Sequence, residues 1–234
     1  MANTTDTTVF NLDLNSIVEE AFERCGAELR SGYDLRTARR SLNLMLLDWA
    51  NRGINLWTIE QGTLPLVAGT ATYDLPVDTV DLLEHALRTG TGTGQIDTSI
   101  SRLSVSDYAA IPSKNSSGRP VQIWIQRRTG ASSSTGTPVP PRVTLWPVPD
   151  SSYTLVYWRL RRIQDTGTGL SGQDVPFRFL PCLVAGLAYY LSLKLPGAIE
   201  RRGELKAEYE EQWELAATED REKADLRIVP RFVY

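Results

Sequence analysis

The stretch whose reading decides the fold is Gly32–Trp57, GYDLRTARRSLNLMLLDWANRGINLW. Leu35, Ala38, Leu42, Met45, Leu46 and Trp49 recur at three- and four-residue intervals, which gathers them on one face of an α-helix. Asp34 stands where a helix start needs a cap. Gly53 stands where the helix must stop, since glycine takes the left-handed conformation at little cost. Arg36, Arg39, Arg40 and Asn43 fall on the other faces. Past the glycine the pattern turns β-like at Leu56–Trp57. The stretch holds no catalytic set.

Upstream, residues 1–10 are polar and threonine-rich, and a flexible arm is expected. Ser16 and Glu19 have the spacing of a capping box, so a first helix is expected from there to Ser31–Gly32. Leu14, Ile17, Val18, Ala21, Phe22, Cys25 and Leu29 form its apolar face. The short connection predicts that the two helices pair antiparallel.

Downstream, from about Asn55 to Asp165, helical periodicity gives way to short β-like runs: LWTIEQGTLPL, ATYDLP, QIWIQRR, RVTLWPV and YTLVYWRLRRI. Turn signals at residues 67–69, 118–120 and 147–150 separate them. Asp78–Leu87 and Ser104–Ala110 are read as short helices. The segments 88–98 and 129–141 are Gly-, Ser-, Thr- and Pro-rich and read as hairpin tips or loops. Helical character returns after Asp174, where Pro176 and Pro181 are tolerated only near a helix start. Leu183, Val184, Leu187, Ala188 and Leu191 form a dense apolar face that ends at Pro196–Gly197. A last helix is expected from Ile199 to Lys223.

Helices, then strands, then helices predict an α+β fold: a helical bundle from the two ends with an inserted antiparallel β-rich domain. The expected partition is a flexible arm at 1–10, a bundle from 11–54 and 175–224, a β-rich domain at 55–174, and a docking tail at 225–234. Leu42, Leu46, Trp49, Leu187, Leu191, Leu205 and Trp213 are the expected bundle core.

The bulk numbers narrow the function. A chain of 234 residues that is 41% hydrophobic and 23% charged is ordinary for a folded protein. A net charge of −3 argues against a strongly basic nucleic-acid binder. The N-terminus has neither the basic region nor the apolar run of a signal peptide. The uncharged run between Arg178 and Lys194 is shorter than the roughly 20 residues of a membrane span, so no membrane partner is expected. Cys25 and Cys182, far apart and each in an apolar pattern, read as buried reduced thiols.

Each candidate chemical constellation has a plainer reading. His85, the only histidine, has no nucleophile–carboxylate set beside it. One histidine and two distant cysteines do not make a zinc site, and no cofactor is expected. GTGTGQ at Gly90–Gln95 lacks the Lys-Ser/Thr ending of a phosphate loop. Glu19–Glu20, Asp78–Asp81 and Glu208–Glu210–Glu211 supply carboxylates, which a hydrolase would need paired across a cleft. Arg36, Arg39 and Arg40 form a candidate basic contact patch for an acidic partner or passing phosphates. Arg127–Arg128 and Arg159, Arg161 and Arg162 form two more. Solvated faces with local acid partners are the plainer account.

The end of the chain is different. In Asp225–Tyr234, Arg227, Ile228, Val229, Pro230, Phe232 and Tyr234 follow a charged helix end, with no room for another element. A lone apolar terminus gains little by ordering alone, so a tail that docks on a partner is expected.

Six phrases in order carry a family resemblance: YDLRTARRSLNLMLLDWANRGINLWTIE, GTATYDLPVDTVDLLE, SVSDYAAIPSKNSSGRPVQIWIQR, VTLWPVPDSSYTLVYWRLRRIQD, DVPFRFLPCLVAGLAYYLSLKLP and LKAEYEEQWELAATEDRE. Together they cover most of residues 14–222, and the chain resembles the head-to-tail adaptor, or connector, proteins of short-tailed phages. The resemblance implies a structural virion protein rather than an enzyme. It implies a closed ring of about twelve copies, with the portal on one side, a tail nozzle protein on the other, and double-stranded DNA crossing unread through the channel. It gives residues 225–234 the role of a portal-docking tail. The rival expectations are a tail-associated cell-wall hydrolase and a DNA-binding accessory factor.

Overall fold

The computed structural model describes residues 10–53, 56–128, 138–167 and 172–221. The expected arm, apart from Phe10, and the docking tail lie outside these residues, as does most of the 129–141 loop. In chain order the elements are α1 (Leu14–Arg24), α2 (Gly32–Asn51), β1 (Ile59–Leu66), β2 (Thr72–Asp74), β3 (Thr79–Thr89), β4 (Ile96–Ser99), β5 (Ser101–Leu103), α3 (Val105–Ala110), β6 (Ser117–Gly118), β7 (Gln122–Gln126), β8 (Arg142–Trp146), β9 (Val148–Pro149), β10 (Tyr153–Arg161), α4 (Leu180–Ser192) and α5 (Arg202–Glu219). Helices near both ends flank a central region of largely antiparallel sheet, so the fold is α+β as the sequence predicts. Two compact units result: Thr58–Arg162 forms one, and the segments before and after it form the other.

In the helical unit α4 is the centre. Ten of its thirteen residues are buried, and α1, α2 and α5 pack around it. All the predicted core residues join one cluster, with Trp213 only partly buried. Trp49 is fully buried; its indole nitrogen donates to the Tyr209 hydroxyl at 2.9 Å, and its ring lies 5.3 Å from that of Trp213 and 5.8 Å from that of Phe179. Gly186 lets α5 come close: a Cβ there would lie 2.7 Å from the Tyr209 ring and collide with Met45 Sδ. Each large apolar side chain buried here is worth roughly 1.5–3 kcal/mol relative to exposure.

Helix ends depart from the sequence reading. α1 is capped by Asp13, whose carboxylate accepts from the Ser16 amide at 2.8 Å, so Ser16 is an inner position and not the cap. It ends at Arg24, well before Ser31, because Gly26 takes φ +72°. α2 is capped by Ser31, and Asp34 is the reciprocal partner that accepts from the Ser31 amide at 3.1 Å. Its stop at Gly53, φ +80°, is as predicted. The early end of α1 lengthens the connection to α2, and the two helices touch each other but pack chiefly on α4. α4 ends at Ser192, before Pro196, and α5 is shorter at both described ends than 199–223.

The β unit has two four-stranded sheets, ordered β1-β10-β3-β4 and β2-β8-β7-β5, and a small parallel β6-β9 pair. Side chains from both sheets share one core that includes Leu82, Leu87, Ile123, Val143, Leu145 and Leu155. The expected helix at Asp78–Leu87 is the long strand β3. Bulges opposite β10 leave Val80 and Leu83 without register partners, so buried residues fall at Thr79, Leu82 and His85. That three-residue spacing imitates a helix. The helix predicted at Ser104–Ala110 is α3, with Ser104 as its cap.

Candidate interaction surfaces

Several of the residues first considered for chemistry are tied up in structure. Asp78 and Glu60 both accept from Arg159, and Glu60 also from Arg161 at 2.6 Å. Asp81 holds Arg102 at 2.9 Å and Arg127 at 3.6 Å, and Asp74 holds Arg128 at 2.8 Å and Arg142 at 2.7 Å. These arginine clusters are therefore faces with local acid partners. Hydrogen bonding from Arg159 pulls the Asp78 carboxyl below its ordinary pKa. A glycosidase acid needs the opposite shift. Glu20 and Glu208 are both engaged by Arg24.

His85 is buried on β3, and desolvation pushes its pKa below the ordinary value, against the opposing charge of Glu84. Burial raises the Cys25 thiol to about 11 and the Cys182 thiol to about 12, so both stay protonated at neutral pH. Cys25 donates to the Ala188 carbonyl at 3.2 Å. GTGTGQ is the tip of the β3–β4 hairpin, beyond the Thr89–Ile96 pair, and opens no α-helix. Among the described residues no group of three His, Cys, Asp or Glu is placed to hold a metal ion. No described helix is long and apolar enough to cross a membrane.

What remains are faces. On α2, Arg36 and Arg40 are exposed and Arg39 is half-buried. The same helix exposes Tyr33, Leu44 and Leu47, which follow Arg36 and Arg40 around one stripe. The sequence reading took the arginines and missed these apolar neighbours. The signal was there, as a second three-and-four periodicity displaced from the core face. α5 shows the opposite character, with Glu204, Glu210, Glu211, Glu214 and Leu215 exposed.

A third face is concave. Between α1 and the start of α4 runs a groove of about 1040 Å³. Its α1 wall carries Glu19, Glu20 and Glu23 together with Ser16 and Arg24; its α4 wall is Phe177, Pro181 and Val184. Phe177 is 77% exposed, which is unusual for so large an apolar side chain. The tail residues Arg227, Ile228, Val229, Pro230, Phe232 and Tyr234 lie outside the described residues.

The outer surface of the helical unit thus carries a basic–apolar face, an acidic face and a groove. A family model described as SU10 adaptor protein matches residues 13–231, nearly the whole chain, and the protein belongs to that family. The family is one of phage adaptor proteins, which supports a structural head–tail role and implies contacts with other phage head or tail proteins. No curated protein matches the chain.

Proposed function

We propose that this protein is the connector between portal and tail, a ring of about twelve copies closed by head-to-tail contacts. The observation that carries the reading is a family match spanning residues 13–231, on a chain whose Asp78 is ion-paired with Arg159 and whose His85 is buried. In this reading the helical segments 11–54 and 175–224 meet the portal, and the β-rich segment 55–174 meets the nozzle or another tail protein. Residues 225–234 dock on the portal, and Arg36, Arg39 and Arg40 form a contact patch. In the β unit Arg102, Arg128, Arg142, Arg159 and Arg161 are already paired with Asp81, Asp74, Asp78 or Glu60. These five have little free charge with which to retain DNA, which passes without sequence reading.

Native mass spectrometry of this protein with the portal ring from the same genome tests the proposal. One copy bound per portal subunit is the expected result; a folded protein and an intact portal ring that form no complex would refute it. Deleting 225–234 is expected to weaken portal binding and leave the circular dichroism spectrum unchanged.

A further inference from the structure

The groove between α1 and α4 has a definite chemistry. One wall is apolar and the other acidic. Glu20 is held by Arg24 at 2.9 Å, but no ion pair engages Glu19 or Glu23 among the described residues. An occupant that suits it must bring apolar side chains and cations in the same short segment. The chain segments that lie outside the described residues can be compared on this point. Residues 1–9, 54–55, 129–137 and 168–171 contain no Lys or Arg. Residues 227–234, RIVPRFVY, contain two arginines four apart, separated and followed by Ile, Val, Phe and Tyr.

The path of the chain agrees. α5 ends at Glu219, and the Asp220 carboxylate accepts from the Leu56 amide at 3.2 Å. Next to Leu56, the Trp57 ring packs on Phe179, centroids 4.9 Å apart, and Phe179 lies two residues from Phe177 in the groove wall. The chain thus leaves α5 on the side of the unit where the α4 wall begins. Residues 222–226 can span up to about 17 Å when extended.

We infer that the groove seats residues 227–234 of its own chain, with Arg227 and Arg231 against Glu19 and Glu23 and the apolar side chains against Phe177, Pro181 and Val184. This rests on the reading of the tail as a docking segment and adds its regulation: the free protein holds the tail on itself, and a partner must compete for it. Such a latch keeps apolar surface covered on both groove and tail. It also lowers the apparent affinity for the partner by the fraction of chains latched.

The test uses the full chain without any portal, so its outcome is separate from that of portal binding. Ser16→Cys and Val233→Cys are introduced together and oxidised mildly at low micromolar concentration. The protonated Cys25 and Cys182 react slowly under these conditions. The expected product is an intrachain disulfide, seen as a monomer of altered mobility. Adding Glu19→Lys and Glu23→Lys should slow its formation by about tenfold. Arg227→Glu with Arg231→Glu alone should slow it equally, and the two charge reversals combined should restore it. Disulfides formed only between chains would overturn the inference in favour of a second copy as occupant. No disulfide, or one insensitive to both charge reversals, would overturn it outright.

Discussion

The helical unit and the β unit are held together by different means. The helical unit encloses one apolar cluster contributed by four helices, with Trp49 touching Phe179, Tyr209 and Trp213. The β unit has a smaller core between two sheets and an outer layer of arginine–carboxylate pairs, of which those of Arg159 and Arg161 have the most buried arginines. The first gains most of its stability from area removed from water. The second adds charge-assisted hydrogen bonds that fix strand register as much as they stabilise. The difference teaches where each unit is vulnerable: the helical unit to lost volume, the β unit to lost charge partners.

Substitutions can break this contrast, beginning with the largest expected effect. Trp49→Ala removes the ring at the helical centre and its hydrogen bond to Tyr209, and should cost about 4 kcal/mol in denaturant unfolding. Leu155→Ala, fully buried in the β core, should cost about 3 kcal/mol. If the two cores are independent, it should lower the transition reported by β-unit residues and leave that of the helical unit in place; a shared shift would show them coupled. Arg159→Met should cost about 2 kcal/mol, since Asp78 loses its arginine donor and Glu60 loses one of two. The loss should shrink at low pH, because the Asp78 pKa is depressed in the folded state and its contribution disappears as pH falls through that value. Ser31→Ala should cost about 1 kcal/mol as a lost cap, read as a lower thermal midpoint.

The smallest effect is a slope. His85 has a folded pKa below its unfolded value of 6.5. The unfolded chain therefore binds a proton first, and stability should fall as pH drops below about 6.5, down to the folded pKa. His85→Gln should flatten that slope; an unchanged slope would assign it to other groups.

The sequence shows the helical core clearly because a helix writes its buried face as a regular period, and Leu42, Met45 and Trp49 obey it. Caps were legible in kind but misplaced by one side chain: Asp34 and Ser31 bond each other, so either reads as the cap until the backbone shows which is outside. β3 was illegible because its bulges replace the two-residue period with one of three. The contact faces were half legible. Arg36 and Arg40 stand out by charge, but the exposure of Leu44, Leu47 and Phe177 depends on which side α4 covers. The groove needed the structure outright, since its walls come from residues about 160 positions apart.

The central place of α4 has a consequence during synthesis. α1 and α2 leave the ribosome early, yet the helix they must cover begins at Leu180, long after α2 ends at Asn51. At about 5–20 residues per second the two amphipathic helices wait roughly 6–26 s for their partner. The β unit, contiguous in sequence, can close during that wait. Helices α1 and α2, made long before α4, are then among the last of these elements to fold, and their apolar faces are what a chaperone would meet.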